Sequence, residues 1–89
     1  MKEGIFTDNG TSEAVRVSGA FTFHLSGSFG GGTVQLQFMD GSGTWRFLNP
    51  TIFAFTDLVD QRFEWVESTL FRCVLTGATA PNVFYKFGI

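Results

Sequence analysis

From Val15 onward the chain alternates between apolar and polar residues. Val15 and Val17 are separated by Arg16 and followed by Ser18, and after Gly19 the residues Phe21, Phe23 and Leu25 interleave with Thr22, His24 and Ser26. A period of two over this length predicts half-buried strands. Past a glycine cluster, Val34, Leu36 and Phe38 alternate with Gln35 and Gln37, which predicts a strand with its apolar side on a core and its glutamines toward water or a partner. Asp40-Gly41-Ser42-Gly43 then breaks the pattern and Trp45 and Phe47 resume it, the mark of a hairpin with a loop of about four residues. Residues 52–55 read as another strand. Over residues 57–68 two periods compete. Asp57, Asp60, Glu64 and Glu67 fall at helical spacing, with Val59, Phe63, Val66 and Leu70 on a second helical stripe, yet residues 63–67 also alternate. Their aromatic and β-branched content makes a strand over 63–66 the preferred reading. Residues 70–75 and 83–87 are extended in style, joined by a turn-rich stretch.

The first fourteen residues are polar and turn-rich, with Asp8-Asn9-Gly10 as a turn signal and Ile5 and Phe6 as apolar anchors. The expected organisation is an N-terminal arm or loop over 1–14 and one domain over 15–89. Seven or eight short strands punctuated by turns predict an all-β fold, a small antiparallel β-sandwich of jelly-roll type.

Composition sharpens this picture. Twelve phenylalanines, two tryptophans and one tyrosine in 89 residues suit strands and supply a large apolar payload for one small domain. The formal net charge of −2, with six scattered basic residues, offers no footprint for nucleic acid. A single cysteine, Cys73, makes no disulfide within the chain and fits a protein made in a reducing cytosol. No apolar run has the length of a signal peptide core or a membrane span, so synthesis in the cytosol and no membrane partner are expected.

Candidate chemistry is sparse. Gly30, Gly31 and Gly32 resemble a phosphate cradle only superficially: a strand pattern, not a helix, follows them, and no lysine does. They read as a tight corner. His24 is the only histidine and lies on the polar side of its strand, so it lacks a second histidine for a metal site, and Cys73 reads as a buried apolar cysteine. The acidic set at 57, 60, 64 and 67 lacks calcium-loop spacing and reads as a solvated face. No catalytic residue, cofactor or metal is expected, and the chain reads as non-enzymatic.

The aromatics are the more informative set. In the segment 83–87, Phe84 opposes Tyr85 and Phe87, so one face cannot take them all, and some apolar surface is expected to meet another chain. The candidate interface comprises Phe6, Phe29, Trp45 and Trp65, the pair Phe84 and Tyr85, and the outward glutamines Gln35 and Gln37. An alternative use of the same residues is glycan binding, with Trp45 or Trp65 as a stacking platform and Gln35 and Gln37 as hydrogen-bonding partners for hydroxyls.

The run GAFTFHLSGSFGGGTVQLQF, the short turn leading to Trp45, and TLFRCVLTGATAPNVFYKF together resemble small β-sandwich virion proteins of tailed bacteriophages. Gly31, Gly32, Thr33, Val34, Leu36, Gln37, Trp45, Phe71, Arg72, Leu75 and Gly77 stand at matching places, over roughly residues 19 to 87. The resemblance implies a structural component of the particle: a capsid decoration or cement subunit forming a dimer or trimer with itself on the major capsid protein or another virion protein. It implies a location in the virion after synthesis in the host cytoplasm. Relatives of this type also serve as head, neck, tail or fibre parts.

Overall fold

The computed structural model describes residues 2–88, with the side chains of positions 66 and 67 excepted. Eight strands follow one another: β1 (Lys2–Phe6), β2 (Gly10–Thr11), β3 (Val15–Ser28), β4 (Thr33–Met39), β5 (Trp45–Phe47), β6 (Ala54–Phe55), β7 (Val59–Thr76) and β8 (Asn82–Gly88). No helix forms among the described residues. All pairings are antiparallel, in the order β1-β8-β3-β7-β4-β5, with β2 on β7 and β6 on β4. The all-β, antiparallel fold expected from the alternation is therefore present.

Two long strands build it. β3 runs beside β8 over residues 22–28 and beside β7 over 15–25, while β7 leaves β3 at Phe71 and continues beside β4 to Thr76. The sheet curls, because side chains from strands that are not neighbours meet across it: Phe23 of β3 lies 5.9 Å from Phe55 of β6. A register shift between Val17 and Gly19, the latter at φ 83°, loosens the ladder between the two halves. Bulges and glycine kinks of this kind let a strand pass from one layer to another.

The core is the alternation made solid. Val17, Phe21, Phe23 and Leu25 of β3, Val34 and Leu36 of β4, Phe71, Cys73 and Leu75 of β7, and Val83 and Phe87 of β8 are all at most 2% exposed. Each buried Phe, Leu or Val side chain contributes about 1.5–3 kcal/mol relative to exposure. Phe38, expected to face the core, is half-buried against its edge, packing on Trp65 and Phe71.

Three expectations change. Within the expected arm or loop over 1–14, Lys2–Phe6 is a strand that pairs residue by residue with β8 and sends Phe6 into the core, the ladder satisfying its backbone. The segment 57–68 contains no helix, and the strands expected over 63–66 and 70–75 are parts of one 18-residue strand. Ladder hydrogen bonds to β3 outweigh the competing helical stripe; Val66 and Glu67 of that stripe lie outside the described side chains. Finally, the strand expected over 52–55 shrinks to Ala54–Phe55, since residues 49–53 leave the sheet as an excursion closed by Ile52 and Phe53 amides donating to the Asn49 carbonyl.

Candidate functional site

Strand parity sorts the candidate interface residues. Phe6 and Tyr85 face inward with ring centroids 5.0 Å apart, and Phe29 is buried just ahead of the glycine corner. These three belong to the core and offer nothing to a partner. Tyr85 fits because Gly4 stands opposite it in register: a Cβ there would lie 2.5 Å from the tyrosine oxygen. Burial pushes the Tyr85 phenol above its ordinary pKa.

The glutamine face is also largely occupied. Gln37 is buried, its Oε1 accepting a 2.7 Å hydrogen bond from Arg72 Nε, and the same guanidinium lies 4.1 Å over the Trp45 ring. Register explains the assembly, since Gln37 pairs with Arg72 on one side while β5 brings Trp45 opposite Met39 on the other. Gln35 is half-buried between Val74 and Ala54. Trp65 is half-buried against Phe38 and Phe71, and its indole N–H donates to Thr69 Oγ1 at 2.9 Å. A stacking platform needs a free ring face: Trp45 has one face covered by Arg72, and Trp65 faces the core.

Phe84 is the exposed member of the set, 38% accessible and directly opposite Ile5, which is 55% accessible. The parity argument for residues 83–87 is thus realised, with Val83, Tyr85 and Phe87 inward and Phe84 outward. Beside this pair a row of ionisable residues crosses four strands: Glu3, Lys86, His24 and Asp60 stand in successive register positions, with His24 Nδ1 3.8 Å from Asp60 Oδ1.

Sequence reasoning missed three exposed apolar residues. Phe47, Ile52 and Leu58 are 48%, 65% and 66% accessible. Phe47 ends β5, Ile52 lies in the excursion between β5 and β6, and Leu58 directly precedes β7. The available signal was the charge-free run from Phe47 to Thr56, interrupted by Asn49-Pro50: a stretch with few core positions and no charge to solvate it.

The polar groups are engaged separately. Asp40 locks the β4–β5 hairpin: Oδ1 accepts from Ser42 N, Ser42 Oγ and Thr44 N, and Oδ2 from Arg46 Nε at 2.8 Å. The Arg46 bond first, then those from Ser42 and Thr44, hold its carboxyl well below the usual range. Glu64 pairs with Arg62 at 3.1 Å, and Asp57 accepts the Leu58 amide. No group of three metal-ligating side chains converges among the described residues. Cys73 is buried on the inner side while His24 lies on the outer side, and burial pushes the thiol up to about 12. Gly30 and Gly31 have positive φ, and Gly32 N donates to Phe29 O at 2.8 Å: the corner is a tight turn that carries the chain from β3 to β4. No helix among the described residues is long and apolar enough to cross a membrane.

Comparison with known proteins finds no matching family model, no matching curated protein and no matching solved structure.

Proposed function

We propose that this chain is a non-enzymatic structural protein of a bacteriophage particle, a decoration or cement subunit that self-associates and binds the assembled shell. The observation that carries the reading is that, among the described residues, a small all-β body leaves five large apolar side chains in water. Ile5 and Phe84 form a pair on the β1–β8 face, and Phe47, Ile52 and Leu58 lie around the β5–β6 excursion. Exposed apolar residues beyond isolated ones mark interaction surfaces, and a subunit that bridges neighbours needs more than one. The resemblance of the Gly31–Leu36 and Phe71–Gly77 segments to small virion sandwiches adds the particle to that argument. Burying apolar surface contributes about 25 cal/mol per Å² before the costs of association are subtracted. Many copies on a shell multiply weak contacts through effective concentration.

The test is co-sedimentation of the purified protein with expanded capsids, together with the paired variant Ile52→Asp/Leu58→Asp. Wild type is expected to pellet with shells and the variant to stay in the supernatant at unchanged melting temperature. A wild-type protein that never pellets overturns the shell assignment. Copy number in purified particles separates decoration, with hundreds of copies, from a neck, tail or fibre part with a dozen or fewer.

A further inference from the structure

We infer that the open edge of β7 is a self-pairing edge, at which two copies of this chain join antiparallel with a two-fold axis at Phe63. β4 accompanies β7 only from Phe71 to Thr76, whereas β3 follows its other side from Phe71 back to Val59. Among the described residues, the β4-side edge of β7 therefore has no strand beside it from Val59 to Leu70. From Val59 to Trp65 this stretch is regular, paired with Leu25 to Gly19 of β3 without a shift. It contains no proline and no lysine, the residues that commonly protect edges. A regular open edge is a template for another strand whose charges complement its own.

The charges on this edge identify the occupant as a second copy. Asp60, Arg62 and Glu64 are exposed and share one face. Antiparallel pairing centred on Phe63 sets Arg62 of each copy opposite Glu64 of the other, and opposite charges directly across a pair are favourable. It also brings half-exposed Phe63 against its own counterpart and Trp65 across from Gln61. Centring on Arg62 instead would oppose two arginines and set Asp60 against Glu64, which like-charge repulsion disfavours. Centring on Gln61 also sets opposite charges across the pair, Arg62 against Asp60, but it leaves Glu64 and Trp65 beyond the start of the other copy's strand at Val59. A pattern that is its own complement when reversed is what an isologous two-fold contact requires. The inference rests on the self-association part of the function proposed above and not on the shell.

The test uses the full chain in sedimentation velocity across a concentration series, with Arg62→Glu, Glu64→Arg and an equimolar mixture of the two. Wild type is expected to show a concentration-dependent dimer. Each single variant opposes like charges at both pair positions and is expected to lose at least tenfold in association constant. The mixture restores both attractive pairs and is expected to recover the dimer as a heterodimer. The alternate amides of residues 61–65 that face the open edge should gain hydrogen-exchange protection only in dimeric samples. A wild type that stays monomeric throughout, single variants that associate like wild type, or a mixture no better than its components would overturn the inference. Dimers that form in solution yet fail to pellet with capsids would overturn the shell assignment alone.

Discussion

At the scale of single residues, two buried groups on the β2–β7 seam are coupled. Ser12, Glu13 and Ala14 stand opposite only Arg72 and Cys73, a bulge between β2 and β3, and Ser12 bridges it. Its amide donates to the Cys73 carbonyl at 2.8 Å, and its Oγ accepts the Cys73 amide at 2.9 Å. Ser12→Ala leaves that buried amide unpaired, so the variant is expected to lose about 1–3 kcal/mol in urea denaturation. Cys73 has its own consequence. Burial raises the folded thiol to about 12, above an unfolded value of about 8.5, so the unfolded chain releases its proton first. The stability due to the neutral thiol is complete below about pH 8.5 and declines as pH climbs toward the folded value. Denaturation at about pH 7.5 and about pH 9, below the range where an unfolded tyrosine ionises, should show the onset of this decline, and Cys73→Ala should flatten it.

At the scale of elements, the glycine corner decides how β3 reaches β4. Gly30 has φ 58°, its carbonyl accepts the Thr79 amide at 2.9 Å, and a Cβ on it would collide with the Thr79 carbonyl oxygen. Gly30→Ala therefore meets both a left-handed backbone and a backbone obstacle, and a loss of about 2 kcal/mol or more is expected. Gly31→Ala meets the same backbone requirement at φ 77° but open space. It should cost only about 1–2 kcal/mol, so paired melting curves of the two variants separate conformation from collision. That these glycines form a corner was legible from the strand pattern after them. So were the inward positions of β3 and β4, because a one-sided core imposes period two on the sequence; in β8 the alternation showed that Phe84 opposes Tyr85 and Phe87 but not which side faces inward. The docking of Lys2–Phe6 on β8 was not, since five residues with one buried side chain carry too little alternation to reveal a strand. Nor was the cover over Gln37, which depends on Arg72, thirty-five positions away, swinging between it and Trp45. The candidate surface suffered most: large aromatics pointed to a partner, whereas Phe6, Phe29 and Tyr85 fill the core and the residues left outside include Ile52 and Leu58. Side-chain type reports apolar area, and only the curl of the sheet decides which side of it faces water.

At the scale of the whole molecule, the topology leaves no half that can fold alone. β3 and β7 each run through both parts of the curled sheet, and the ring contacts continue across them, Phe23 touching Phe87 at 4.9 Å and Phe55 at 5.9 Å. The strand pairings join segments far apart in the sequence, so the stabilising contacts are mostly non-local and neither part retains a core once the other opens. Unfolding is therefore expected to be a single cooperative transition. The two tryptophans make this measurable, because Trp45 reports on β5 at one edge of the sheet and Trp65 on the middle of β7. Trp45→Phe and Trp65→Phe each leave one probe. In each variant the fluorescence midpoint should coincide with its own far-ultraviolet circular dichroism midpoint in urea. The absolute midpoints should differ between them, since Trp65 packs on Phe38 and Phe71 and donates to Thr69, whereas Trp45 stacks on the Arg72 guanidinium. An earlier fluorescence transition in the variant that keeps Trp45 would mean that β4, β5 and β6 detach as a unit. In that case the exposed residues of the β5–β6 excursion would ride on a separable flap, and the surface they form would not be a property of the rigid sheet.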